Sequence, residues 1–288
     1  MLNRKQRDAI VGTIWNMAAL LIILLPIASL LIGAFQSEKA LLSDVKNPLP
    51  KEITLINFIA LFGGNVEGIH FPGQVGQFPL AFRNSAIVAI STATLSLIIG
   101  SLSAYTVVRL RFFGREAYSF ALLATRMVPV IVLVIPLFLT FRGLSILNTL
   151  SGLVIAQMGL LLPFVVWIMR AYFETLPEEL EAAARVDGCT RLMAFLRIIV
   201  PLSAPGMASC FVIIFLLSWN DLLIPIILGS QASVLTLPVL LSSFVSDYSL
   251  QYSVVNATAV LAMAPTAILA LLLQKYVVAG LTAGAVKG

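Results

Sequence analysis

Charge is scarce in this chain: acids and bases make up 11% of its 288 residues, against about 25% in a soluble domain. Histidine occurs once, at His70, and cysteine twice, at Cys189 and Cys210. Each shortage excludes a chemistry. A lone histidine, placed by the hydropathy pattern outside the membrane, cannot build an H-E-x-x-H zinc site or supply a Ser–His pair inside a bundle. Asp221, in an apolar stretch, lacks the second carboxylate of an aspartyl site. The two thiols fall on the cytoplasmic side and within a helix, so they form no disulfide, and without neighbouring histidines they form no zinc site. No lysine follows a glycine, so the G-x4-G-K-[ST] phosphate loop is absent, and any nucleotide chemistry that drives this chain belongs to another polypeptide. There is no low-complexity tract, linker or solenoid-length repeat, and residues 1–288 read as one domain.

What the chain has is apolar length: 60% of its residues are hydrophobic. Six stretches stand out, at Ile10–Phe35, Ser85–Val108, Ala117–Phe141, Leu150–Ala171, Gly206–Leu228 and Val254–Leu273. Each is near or above the ~20 residues a helix needs to cross ~30 Å of hydrocarbon. Helices satisfy their own backbone polar groups in lipid. The expected fold is therefore an all-α integral membrane protein, a bundle of six transmembrane helices. The apolar run after the basic N-terminus exceeds the 7–15 residues of a signal-peptide core and reads as an uncleaved first helix.

The net charge of +5 is topogenic and no signal of nucleic acid. Twelve bases fall on one side of the spans: Arg4, Lys5, Arg7, Arg109, Arg111, Arg115, Arg170, Arg185, Arg191, Arg197, Lys275 and Lys287. Five fall on the other: Lys39, Lys46, Lys51, Arg83 and Arg142. Arg126 lies inside a span. Bases gather on the cytoplasmic face, so both termini are expected there. The longest external connection, Gln36–Phe82, holds Leu55–Phe62, a short apolar helical stretch that reads equally as a landing surface for a soluble partner or an ordered loop. Prolines 26, 129, 136, 163 and 265 fall inside spans, where each removes a helix hydrogen bond. Pro129 and Pro136 share one span and mark either a gate or a fixed kink.

Between the fourth and fifth spans lies a polar run over residues 174–201, longer than a connector requires. Thr175 and Glu178 are spaced as a capping box, Pro177 suits a first turn, and Gly188 is a natural stop. A separate helix over Leu176–Asp187, roughly 18 Å long, is expected, with Leu180, Ala183, Ala184 and Asp187 on one face. Thr190 is a second candidate cap, followed by Leu192, Phe195, Leu196 and Ile199 at helical spacing. The bland reading is a helix resting on lipid; the functional one is a lever.

This segment resembles the cytoplasmic EAA loop of ABC importer permeases, E-A-A-x3-G-x9-I-x-L-P. Gly188 fits the glycine, Ala183 and Ala184 the alanines, and Ile198–Pro201 the end, with Val200 in place of leucine. Ala182 stands where the glutamate is usual, and Glu181 comes one residue early. From Asn84 onward the chain is similar to the carbohydrate-uptake subfamily, in particular its maltose-permease G-like subunit. The matching stretches are Asn84-Ser85, Ala104-Tyr105 with Arg109, Pro129 and Pro136, Asn148-Thr149, Ser218–Asp221, Thr236–Val239 and Gly280–Gly288.

The resemblance implies a type I importer permease in the bacterial inner membrane, paired with a second permease subunit. It further implies two ATP-binding subunits, which hold ATP and Mg, and an extracytoplasmic solute-binding protein. This chain itself carries no cofactor and no catalytic centre. The handle is expected to couple to the ATPase through Glu178, Leu180, Glu181, Ala183, Ala184, Arg185, Asp187 and Gly188, with Arg185 and Asp187 setting register. Intramembrane charges face a cavity or each other, so Arg126 and Asp221 either pair or line a path with Asn220 and Gln157, with Trp219 as a further pathway candidate; the alternative is that Asn220-Asp221 stabilise a subunit interface and Arg126 lies shallow and snorkels. The function expected is import of a sugar or sugar-like solute by alternating access. An ion-coupled secondary transporter of a small polar solute is the alternative, and it leaves the handle unexplained. A passive scaffold is a further rival.

Overall fold

The computed structural model describes residues 4–43, 50, 52–65, 74–110, 112–246 and 251–283. His70, Lys46, Lys51, Arg111, Lys287 and the terminal stretch from Gly284 lie outside the described residues. Among those described, the regular structure is helical: α1 (Arg4–Ala34), α2 (Glu38–Ser43), α3 (Ile56–Leu61), α4 (Phe78–Arg109), α5 (Arg115–Thr125), α6 (Val130–Gly143), α7 (Leu150–Phe173), α8 (Glu179–Val186), α9 (Arg191–Ala194), α10 (Val200–Leu202), α11 (Ala204–Trp219), α12 (Leu223–Leu228), α13 (Leu237–Ser246) and α14 (Tyr252–Ala283). A π-helical turn at Phe195–Ile199 joins α9 to α10.

Among the described residues, four stretches are long and apolar enough to cross a membrane: Ile10–Ala34, Val75–Arg109, Leu150–Phe173 and Tyr252–Gln274. Two more arise if each of two bent pairs counts as one span. The third expected span, 117–141, is not one rod. It breaks at Arg126–Pro129, and α5 and α6 meet at 95°. Pro129 has no N–H for the helix and pushes Val128 out of the helical region, so it starts α6 instead of continuing α5. The fifth, 206–228, is also divided. α11 stops at Trp219, and α12 begins at Leu223. Upstream, Arg191–Leu202 and α11 form the second bent pair, at 78°.

The backbone groups into two compact units. One comprises Met1–Pro79 with Leu240–Ala264. Here α3 seals the end of α1: the buried Asn57 donates from Nδ2 to the carbonyls of Ala34 (2.9 Å) and Gln36 (2.8 Å). Phe58 packs on Phe35 at 5.0 Å. Glu38 accepts from the Ser253 N–H at 2.8 Å. The helical stretch expected at Leu55–Phe62 is thus present, with Asn57, Ala60 and Leu61 turned inward.

The other unit comprises Leu80–Val239 with Pro265–Gly288. Its core gathers Val88, Phe141, Leu153, Val154, Ile224 and Leu228. α4 presents small residues at a spacing of four, Thr92, Ser96, Gly100 and Ala104, all buried. A Cβ on Gly100 would stand 2.5 Å from a Val165 methyl, and one on Gly206 would stand 2.4 Å from the Tyr172 ring. Without a hydrophobic drive between helices in lipid, such small contacts let backbones approach closely. α7 is therefore gripped by α4 and α11 at once.

Candidate functional site

The polar handle is present, but its frame differs from the expected one. α8 spans Glu179–Val186, shorter than Leu176–Asp187. No capping box forms, because the Thr175 hydroxyl donates back to the Tyr172 carbonyl at 2.7 Å. Thr175 thus finishes α7 instead of starting α8. Glu178 holds the cap position without a side-chain cap bond. The stop is as expected: Gly188 adopts φ +87°, a region that costs other residues ~1–2 kcal/mol, and the Cys189 N–H reaches the Ala184 carbonyl at 3.0 Å. Thr190 does cap the next helix, accepting from the Met193 N–H at 3.2 Å.

The faces of α8 are rotated from the expected grouping. Ala184 and Glu181 turn inward and are buried, so Ala184 does not share an outward face with Leu180 and Ala183. The cause is the Glu181 carboxylate. Tyr105 donates its hydroxyl to Glu181 Oε1 at 2.7 Å, and Arg109 Nε lies 3.7 Å from Oε2. Arg109 also donates from Nη2 to the Leu176 carbonyl at 2.8 Å and pairs with Glu178 at 3.5 Å. The Tyr105 ring rests on Phe195 at 4.7 Å, and Phe195 meets Phe173 edge-on at 6.2 Å. Leu180, Ala183, Arg185, Asp187 and Gly188 remain exposed. So does Val186, at 86%, against 38% for Leu180. Sequence grouping missed Val186 because its phase follows from the inward pull on Glu181. Beside the helix, a cleft of about 590 Å³ is lined by Arg109, Arg115, Arg170, Glu174 and Glu178.

The candidate pathway residues separate into two places. The Ser218 hydroxyl donates to Gln157 Oε1, and Gln157 Nε2 donates to Asp221 Oδ2 at 2.8 Å. The other Asp221 oxygen accepts the Leu223 N–H at 3.1 Å and so opens α12. Asn220, exposed, donates back to the Leu216 carbonyl at 2.8 Å. Trp219 is buried between Phe82 and Phe215, at 5.6 and 5.5 Å. Arg126 sits at the α5–α6 break. It donates to the Leu160 carbonyl at 2.7 Å and lies 5.7 Å from the Phe164 ring. Arg126 and Asp221 therefore satisfy different partners and do not pair with each other. Among the described residues, no group of three His, Cys, Asp or Glu side chains is placed to hold a metal.

Helices long enough to span a membrane, two bent pairs and a polar helix latched to the bundle define a membrane transport component. The fold agrees with that of a bacterial ABC transporter that imports the acidic polysaccharide alginate. The match has a TM-score of 0.80 at 23% identity and covers 96% of this chain and 99% of that one. Residues 96–283 match the family described as binding-protein-dependent transport system inner membrane component, and the chain belongs to that family. It is 34% identical over 289 residues to the inner membrane ABC transporter permease protein YcjP of Escherichia coli K12, covering all of both chains. It is 33% identical over 286 residues to the diacetylchitobiose uptake system permease protein DasC of Streptomyces coelicolor, covering 98% of this chain and all of that one. The family makes it a multi-pass inner-membrane protein working within an importer complex, and leaves the ion-coupled alternative without support.

Proposed function

We propose that this chain is one of two unlike permease subunits of an ATP-driven importer for a sugar or sugar-like solute. Two ATP-binding subunits hold ATP and Mg at the cytoplasmic face, and an extracytoplasmic protein delivers the solute. This chain has no catalytic centre and binds no nucleotide. Its termini lie in the cytoplasm, where the bases concentrate. The outward surface of α8, built from Leu180, Ala183, Val186 and Asp187 with Arg185 at its edge, enters a cleft of the ATPase.

One observation carries this reading: a short polar helix, fixed to a spanning helix, presents exposed apolar residues where the bundle has no need of them. A partner shifts a two-state bundle only by binding its states unequally, and such a helix is a surface through which that bias can enter. The saccharide class is supported by the uptake system named for the 33%-identical relative.

The test is purification and uptake. Affinity-tagged chain drawn from its native membrane is expected to bring an ATP-binding protein and a second permease with it. Proteoliposomes of that complex with its binding protein should accumulate a labelled saccharide from a panel that includes diacetylchitobiose, with ATP and without an ion gradient. Uptake by this chain alone, driven by a proton or sodium gradient, would overturn the reading.

A further inference from the structure

α4 is tied near both ends by side-chain bonds to distant segments. At 32 residues it is about 48 Å long. At one end the buried Asn84 donates from Nδ2 to the carbonyls of Ser233 (3.0 Å) and Leu235 (2.9 Å), and the Ser85 hydroxyl accepts the Leu237 N–H at 2.8 Å. At the other end stand Tyr105 and Arg109. Both reach Glu181 on α8, with the Arg109 side chain only 6% exposed and that of Glu181 11%. The two clamps are 21 residues apart, roughly 32 Å of helix. Between them α4 is closely packed along its small-residue face.

We infer that Tyr105, Arg109 and Glu181 form a latch that makes α8 move as one body with α4, and that α4 carries this movement to segment 233–237 at its far end. Glu181 is then a positioning residue. It faces its own chain and makes no contact with the partner that α8 meets. The chemistry supports this division. A buried carboxylate needs compensation; the Tyr105 hydroxyl supplies a hydrogen bond and the Arg109 guanidinium an ion pair at 3.7 Å, both from one helix. Arg109 adds a bond to the Leu176 carbonyl, which fixes the chain on entry to α8 as well. A displacement of α8 without α4 would break these bonds together and leave a buried carboxylate and guanidinium unpaired, the costly case. A displacement of both together breaks none of them. Interior groups so packed respond by discrete rearrangement and not by bending.

The inference rests on the reading of α8 as the driven element, and the two fail separately. Complexes are prepared in lipid nanodiscs with Cys189 and Cys210 replaced by serine and with Ser233→Cys as a reporter. Amide hydrogen exchange is followed over Ala182–Asp187, and the reactivity of the reporter towards a maleimide is followed with and without ATP. Tyr105→Phe removes one donor at constant shape. It should speed exchange about tenfold, as expected for one lost bond to a charged group. It should also cut the ATP-dependent change at residue 233 at least fivefold while ATP hydrolysis continues. Glu181→Gln keeps an acceptor for Tyr105 and should retain most of that change; Glu181→Ala should lose it. A role confined to folding would lower the yield of complex and leave the ratio of reporter change to hydrolysis unaltered. Unchanged exchange in Tyr105→Phe and Glu181→Ala, or faster exchange with a full change at residue 233, would overturn the latch. Failure of the wild-type chain to recover any ATP-binding protein would overturn the underlying reading instead, and exchange measured on the wild-type and variant chains alone would still decide whether the latch exists.

Discussion

At the scale of single residues, Gly188 separates what α8 does within its own chain from what it does with a partner. Its φ of +87° is left-handed, and nothing lies within 4 Å of a Cβ built there. Gly188→Ala and Gly188→Trp therefore impose a similar backbone cost, ~1–2 kcal/mol, and the Cβ of either has open space. Both should lower the unfolding temperature of the detergent-solubilised chain by a similar few degrees. If α8 enters an ATPase cleft, only the indole obstructs it. Gly188→Trp should then lose at least tenfold in ATPase recovery on pull-down, while Gly188→Ala retains most of it. Equal recovery of the two variants would remove Gly188 from the docking surface. Glu181 gives the converse lesson. Its type and place beside the alanine run marked it for a partner; within the chain it accepts from Tyr105 and pairs with Arg109 at 3.7 Å. A carboxylate's partner 76 positions away is not written in local spacing.

At the scale of elements, apolar length and proline were the readable features. The long helices α1, α4, α7 and α14 lie where the hydropathy placed them, because about 20 apolar residues leave few options in lipid. Pro129 announced an interruption, but not a bend of 95°, which depends on how α5 and α6 pack separately. The α11–α12 break at Asn220–Leu222 carried no proline. There Asp221 is held by Gln157 from α7 and accepts the Leu223 N–H. The capping-box pattern at Thr175 misled because the same hydroxyl can serve the end of α7. Packing between elements makes a sharp prediction at glycine. Gly206→Val drives methyl groups into the Tyr172 ring, where even a Cβ stands at 2.4 Å, and overpacking of this kind costs ~1–3 kcal/mol. Gly159, also helical, has nothing within 4 Å of its Cβ position, so Gly159→Ala should be neutral or stabilise by up to ~1 kcal/mol. Thermal unfolding of the two variants in matched detergent should show a marked loss for the first and none for the second. Equal effects would mean that α7 and α11 do not approach closely at Gly206.

At the scale of the whole molecule, the chain leaves much apolar surface uncovered. In the most apolar window of the first spanning helix, 11% of residues are buried, and in that of the last, 17%. Side chains such as Trp15, Leu25, Leu271 and Leu272 stand largely exposed. Soluble proteins rarely leave such contiguous apolar surface bare; in an inner-membrane protein lipid covers it. The charge distribution predicts which way the covered body faces. If the basic connections lie inside, the connection that carries Cys189 is expected in the cytoplasm, and Lys39, exposed on α2, outside. A single-cysteine chain with only Cys189 should react with a membrane-impermeant maleimide in inside-out vesicles and stay unlabelled in right-side-out ones. A chain with Lys39→Cys and both native cysteines replaced by serine should show the reverse. The same pair of reagents tests the complex: added ATPase subunits should slow labelling of Cys189, which follows α8 directly, and leave the Lys39→Cys site unaffected. Labelling of Cys189 from the outer face would invert the molecule, place α8 beyond reach of any nucleotide-driven partner, and remove the physical basis for coupling through that helix.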